Sequence, residues 1–555
     1  MYEQTSNPVG GSLALSALFA ALPLITLFVL LGGLRWAAWK AGLVSLAVAV
    51  VVALLPFAWA MPVDQTLLVT LEGAAFGLFP IMWIVVNAIW IYNITVTTGH
   101  FAILRRSFAA ISDDKRIQAM IVAFAFGALI EGLAGFGTPV AITSVMLIAL
   151  GFSPIKAAVL ALVGNTAPVA FGSIATPIIT LANITGLPVE DLGAMVGRQT
   201  PFLALFVPLI LAYIVDGTRG VRQTWPAAIV TGVSFAIGQF VSSNFISVEL
   251  TDLIGALVST AALVLFLRVW HPGDPLLEDP DLGEVRVDRP AVAGAEAHPS
   301  SGSLEADIRR RDQKEDSGRE RFEAFLPYLI IVVVFGLAKL FDPLKHLLFE
   351  VSGGTGYGTD AEQVAGFDWP GLQIVDAEGE APSAARFAFS FWDTPGTIVL
   401  ICGFLTMAAL RIGPGRALRA YRETLDQLKW AIVTVAAVLG LAYVMNLSGM
   451  TQSLGLFAAE AGVFFAFFSA IIGWLGVAIT GSDTSSNALF GVLQITAAEK
   501  SGLSPLLLAA ANSSGGVLGK MISPQNLAIG AAAVGLAGKE GDIFRAVLKL
   551  SLIHI

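Results

Sequence analysis

The sequence predicts an all-α polytopic membrane protein made of two inverted-topology repeats, with broken or re-entrant helices and about 12–14 spans, the last one incomplete. Three observations predict it. The chain has 555 residues, of which 56% are hydrophobic and only 13% charged, with a mean hydropathy of +0.77; a soluble protein needs far more polar surface. Several apolar runs reach the roughly 20 residues of a helical span, and the alternating tracts of about ten residues that mark barrel strands are absent. Short motifs rich in Gly, Pro, Ser and Asn recur in the same order in the two halves.

Loop charge sets the threading. The turn 32–40 carries Arg35 and Lys40, and 99–116 carries Arg105, Arg106, Lys115 and Arg116 against Asp113 and Asp114. The turn 216–224 has Arg219 and Arg222, and 411–429 has Arg411, Arg416, Arg419, Arg422 and Lys429 against Glu423 and Asp426. All four read as cytoplasmic. The segment 342–393 has nine acids against Lys345 and Arg386 and reads as external. The N-terminus, "MYEQTSNPVGG", lacks the basic region of a secretory signal, so the first apolar run stays as a span.

One path satisfies these assignments. Residues 13–31 run inward from an external N-terminus, 41–61 outward and 67–93 inward; 117–184 end outside. Then 199–215 run inward, 225–243 outward and 250–270 inward. Residues 1–270 thus form a first membrane half, with its repeat over about 13–215 and linking spans at 225–270. The polar segment 271–324 is a cytoplasmic insert with too few large apolar residues to fold. Residues 325–555 form the second half, in which 325–341 run outward, 394–411 inward and 426–449 outward.

The repeat is legible in three ordered matches. Gly135-Phe-Gly-Thr138 resembles Gly481-Ser-Asp-Thr484, Gly151-Phe-Ser-Pro154 resembles Gly502-Leu-Ser-Pro505, and "NTAPVAFGSIATP" from Asn165 resembles "NSSGGVLGKMISP" from Asn512. The offsets are 346, 351 and 347 residues. By charge the span near 110–131 leaves the cytoplasm while its counterpart near 456–478 returns to it, so the repeat is inverted, as in many secondary transporters.

The matched motifs hold the candidate site. Gly and Pro break helices, and Ser and Asn compete for backbone bonds. At membrane depth such backbone survives only where protein buries it or it lines a wet cavity. Broken helices expose N–H groups that attract anions. Close helix packing through small residues explains the glycines, but it does not call for Asp483. An ionisable side chain in a span costs roughly 2.5–3.5 kcal/mol on insertion scales. Asp483 and then Glu131 are therefore the proton-coupling candidates, a desolvated carboxylic acid being able to bind a proton near neutral pH; a structural cap or ion pair is the competing role. Lys520 is the candidate partner for a substrate carboxylate, against a snorkelling lysine or an internal partner for Asp483. Asn165, Thr166, Thr484, Ser485, Asn512, Ser513 and Ser514 suit hydrogen bonding to a small polar substrate, against hairpin capping. Glu72 and Asn87 share a span with Trp83, Trp90 and Tyr92, and the aromatics read as an interfacial belt. Lys156 reads as a cytoplasmic charge and Arg198 as an external anchor.

Other chemistries find no support. The single cysteine, Cys402, lies in a predicted span, which excludes a disulfide framework and a Cys-based metal site. His100, His271, His298, His346 and His554 form no cluster. There is no nucleophile–His pair in the spans, no GxxxxGK[ST] loop for direct ATP drive, and nothing that calls for a cofactor, a metal or nucleic acid.

"GSDTSSNALFG", "GKMISPQNLAIG", "EGLAGFGTPVAI" and "GNTAPVAFG" resemble the bacterial L-lactate permease family, over about residues 15–550 and interrupted by 271–324. The resemblance implies proton-coupled uptake of L-lactate, with D-lactate and glycolate, across the cytoplasmic membrane, and places the chain beside ion transporters with re-entrant hairpins and elevator-like motion. A gated anion channel, or a transporter for another small organic anion, is the alternative. Two features depart from the family pattern. The insert is long, and "FRAVLKLSLIHI" ends where a further span is expected, opposite 199–215 of the first half.

Overall fold

The computed structural model describes residues 1–279 except 136, 316–344 except 342, 347–348, 366–536 except 377, 378, 390 and 393, and 538–554. Most of the insert and part of 342–393 therefore lie outside the described residues. The first half holds α1 (Leu13–Phe28), α2 (Ala38–Leu54), α3 (Val63–Phe76), α4 (Trp83–Thr97), α5 (His100–Ala109) and α6 (Lys115–Ala134). It continues with α7 (Thr138–Ala149), α8 (Pro154–Gly164), α9 (Gly172–Thr185), α10 (Val189–Val241) and α11 (Thr251–Phe266). The second holds α12 (Gly318–Leu340), α13 (Pro395–Ala409), α14 (Pro414–Ser448), α15 (Met450–Ala459), α16 (Phe465–Thr480), α17 (Asp483–Ser501), α18 (Pro505–Gly519), α19 (Pro524–Ala533) and α20 (Glu540–His554).

Matching local signals place matching helices. Ser153-Pro154 and Ser504-Pro505 each start a helix, with Pro at a first-turn position where its missing N–H costs nothing. A short 3₁₀ turn follows in both halves, Val169–Phe171 and Lys520–Ile522, before the chain resumes as α9 or α19. Seven helices are long and apolar enough to cross a membrane, or eight if the pair bent by 65° between Gly164 and Val169 is one span. Four shorter apolar helices, α2, α7, α11 and α13, accompany them. The longest, Val189–Ile246, has 58 residues and breaks at Asp216 and Gly217, so it holds the two expected passages 199–215 and 225–243.

The packing is reciprocal. Helix α2 packs on α14 while α13 packs on α4, and α1 packs on α15 while α12 packs on α5. Likewise α9 meets α17 while α19 meets α7, and α10 meets α18 while α20 meets α8. Each contact of an element with the other half is repeated with the halves exchanged. That is the pattern of a two-fold axis between two repeats.

The polar segments gather into two groups. Tyr2–Glu3 pairs in parallel with Ile374–Val375, and the Tyr2 hydroxyl donates to Ser448 O at 2.8 Å, so the N-terminus and the acidic segment lie together. The basic segments form the other group. Arg116 bridges Asp114 at 2.6 Å and Asp216 at 3.2 Å, Arg106 bridges Asp316 at 2.6 Å, and Lys156 bridges Asp279 at 2.6 Å. Lys156 is thus a buried partner of the insert's first residues rather than a free loop charge. The aromatics of α4 also differ from expectation. Trp90 is 3% exposed and donates to Ala417 O at 2.9 Å, Trp83 donates to Thr397, and Asn87 donates to Gly396 O. They join α4 to α13 and α14 and are not a lipid-facing belt; a belt and a helix seam use the same aromatic residues, and only tertiary packing distinguishes them.

Candidate functional site

The broken helices of both halves converge on one cavity of about 400 Å³. Glu131, Ser173, Asp483, Thr484, Ser485 and Lys520 line it, with Trp39 of α2 and Trp430 of α14 on the opposite side. The two indoles stack with centroids 4.6 Å apart. The cavity therefore lies between the α2–α14 group and the broken helices, a usual place for a small-molecule site.

Glu131, in the last turn of α6, is 2% exposed. Its Oε1 accepts from Lys520 Nζ at 2.6 Å and its Oε2 from Asn165 Nδ2 at 3.1 Å. A β-carbon on Gly172 would stand 2.4 Å from Glu131 Oε1, so a side chain there would displace the carboxylate. Beyond Gly172 the chain turns through Ser173, Ile174 and Ala175, all at positive φ of 47–56°. Left-handed geometry costs L-residues about 1–2 kcal/mol each, and such strain persists at sites where the surroundings impose it.

Asp483 begins α17, whose N-cap is Ser482, and is 3% exposed. Ser513 Oγ donates to its Oδ2 at 2.6 Å. Oδ1 has no hydrogen-bond partner among the described residues and faces Gly516, where a β-carbon would be 2.5 Å away. Lys520 thus pairs with Glu131 of the other half and not with Asp483.

The remaining candidates divide. Thr484 and Ser485 line the cavity, and among the described residues no hydrogen bond uses their hydroxyls. Asn165 and Ser513 each hold one of the two carboxylates. Thr166 caps α8 through Val163 O at 2.7 Å. Asn512 belongs to an internal chain in which Gln494 donates to it at 3.0 Å and it donates to Asn487 at 2.9 Å; Asn487 in turn reaches Pro177 O. Ser514 donates to Gln199 and to Ala510 O. Thr166, Asn512 and Ser514 do not line the cavity. Gly473, Gly515 and Gly519 leave no room for a β-carbon between α16 and α18, so close packing does explain part of the glycine pattern.

The family model described as L-lactate permease matches residues 16–555. The chain belongs to the L-lactate permease family. The "L-lactate permease" of Bacillus subtilis is 42% identical over 99% of this chain and 96% of that one. The "Glycolate permease GlcA" of Escherichia coli is 43% identical over 100% and 96%, and the "L-lactate permease" of the same organism 42% over 100% and 96%. Among solved structures, the Alcanivorax borkumensis YdaH transporter, described as having an unusual topology, aligns over 87% of this chain and 84% of its own at 16% identity, with a TM-score of 0.43.

In this family member, the sequence reading missed the Trp39–Trp430 pair, the left-handed turn at Ser173 and the exposed cavity residue Gln525. The Lys–Trp and Trp–Lys neighbours at 429–430 and 39–40 are the one signal for the first, and they served only as topology marks.

Proposed function

We propose that this chain is a secondary active transporter that takes up L-lactate, and also D-lactate and glycolate, by proton symport across the bacterial cytoplasmic membrane. Its N-terminus is outside and 271–324 are cytoplasmic. Relatives named for lactate and glycolate transport support the substrate class. One observation carries the mechanism. Among the described residues lining the cavity, Lys520 is the only cation, and Glu131 already neutralises it. A single ammonium matches a single carboxylate, which favours monocarboxylates over dicarboxylates.

Substrate and Glu131 compete for Lys520. A proton on Glu131 removes its charge and frees the ammonium for the substrate carboxylate, while the Thr484 and Ser485 hydroxyls receive the carboxylate or the 2-hydroxyl. When the substrate leaves, Lys520 recaptures Glu131, and the proton leaves because the ionised form regains its partner. One anion and one proton thus cross together with no net charge. Asp483, held by Ser513 beside the same cavity, is the second coupling candidate.

The test is uptake of labelled lactate into proteoliposomes with and without an imposed pH gradient. The proposal expects accumulation above the external concentration only when the outside is acidic. Flux that never exceeds equilibration points to a gated anion channel and contradicts it.

A further inference from the structure

Asp252 lies in the first turn of α11, is 1% exposed, and plays no part in the scheme above. Neither of its carboxylate oxygens has a well-formed hydrogen bond among the described residues, although the Gln239 side chain of α10 lies close by. Gln239 is itself oriented, accepting from Thr200 at 3.1 Å and donating to Ala167 O at 3.3 Å. Asp252 packs on Gly132, the residue after Glu131; a β-carbon there would be 3.1 Å from that of Asp252. The charges that act on Asp252 are those of Glu131, from α6, and Lys520, from the 3₁₀ turn. The other elements packed on α11, namely α9, α10 and α12, bring no further charge to it among the described residues.

Two carboxylates therefore share one ammonium in a buried cluster. An uncompensated buried charge is costly. Glu131 holds the ammonium directly, so the cluster is neutral when Asp252 carries a proton. We infer that Asp252 is the proton donor that supplies Glu131 when substrate captures Lys520. The inference rests on the proton-symport reading. The O–H bond of Asp252 breaks and an O–H bond forms on Glu131, and water on the entry side then returns a proton to Asp252. Before substrate the cluster holds Glu131 as carboxylate, Lys520 as ammonium and Asp252 as acid. After it, lactate pairs with Lys520 while both acids are protonated. Each state is neutral, and the difference is one lactate anion and one proton.

The experiment uses the full chain in proteoliposomes and compares uptake driven by a pH gradient with counterflow exchange, which needs no net proton movement. Asp252→Asn is expected to lower gradient-driven uptake by about tenfold or more, the scale of a lost acid–base group, and to lower counterflow far less. Asp252→Glu keeps the acid, so it is expected to recover most of the uptake with a shifted pH profile. Full gradient-driven uptake by Asp252→Asn, or equal losses of uptake and counterflow in both variants, would overturn the inference. So would an unchanged pH profile in Asp252→Glu, even if the Asn variant fails to insert. If the unaltered protein itself moves no protons with lactate, the symport reading has failed, and the inference falls with it; that outcome is read before any variant is compared.

Discussion

Lys520 and Glu131 are 389 positions apart in the chain and 2.6 Å apart in the fold. One belongs to the broken segment of the second half and the other to that of the first, and their side chains are 8% and 3% exposed. The pair joins the repeats at the cavity wall, so whatever separates it changes the site and the seam between the halves together.

Removing one partner leaves a buried charge uncompensated, which typically costs about 3–5 kcal/mol, while removing both is far cheaper. Lys520→Gln is expected to lower the unfolding temperature in detergent and to abolish lactate counterflow. The double variant Glu131→Gln/Lys520→Gln is expected to regain stability without regaining counterflow. Thermal unfolding and exchange assays on the same samples check this. A single variant as stable as the parent would mean that the pair is not closed in the protein.

Two glycines make room for carboxylates rather than for helices. At Gly172 and at Gly516, an added β-carbon would press on Glu131 Oε1 and Asp483 Oδ1 respectively. Both alanine variants are expected to cost about 1–3 kcal/mol, the usual range for overpacking. Gly172→Ala should also shift the pH dependence of uptake, because it moves the carboxylate that holds Lys520. An unshifted profile would remove Glu131 from the coupling scheme.

The threading is open to labelling with a membrane-impermeant maleimide. Cys402 is fully buried and gives a silent background. In intact cells Gly10→Cys is expected to react and Arg222→Cys to react only after the membrane is opened. Reaction of both from outside would contradict the orientation drawn from loop charge.

The repeat and the broken segments were legible in the sequence because they are written in backbone chemistry. Gly, Pro, Ser and Asn at equal spacing break helices in the same way in both halves, and the reciprocal packing of α2 on α14 and of α13 on α4 follows from that duplication. Side-chain partnership was less legible. Asp483 and Glu131 were equally plausible mates for Lys520, and only the way the halves meet decides between them. Asn512, Ser514 and Thr166 sit in the right motifs but spend their polar atoms on the scaffold, and no local pattern separates that use from facing a cavity. Asp252 follows the polar stretch "SVELTD" at a span boundary, where a carboxylate ordinarily meets water. Its burial comes from α6 and α10 closing over it.

The most direct test of the account measures lactate and proton entry at once, with labelled lactate outside and a pH-sensitive dye inside proteoliposomes, for the parent and for Glu131→Gln. The parent is expected to take up one proton with each lactate, and Glu131→Gln, whose amide cannot carry the proton, to exchange lactate in counterflow while moving no protons with it. Proton uptake by Glu131→Gln in step with lactate, as in the parent, would contradict the claim that substrate and proton are coupled through Lys520 and Glu131.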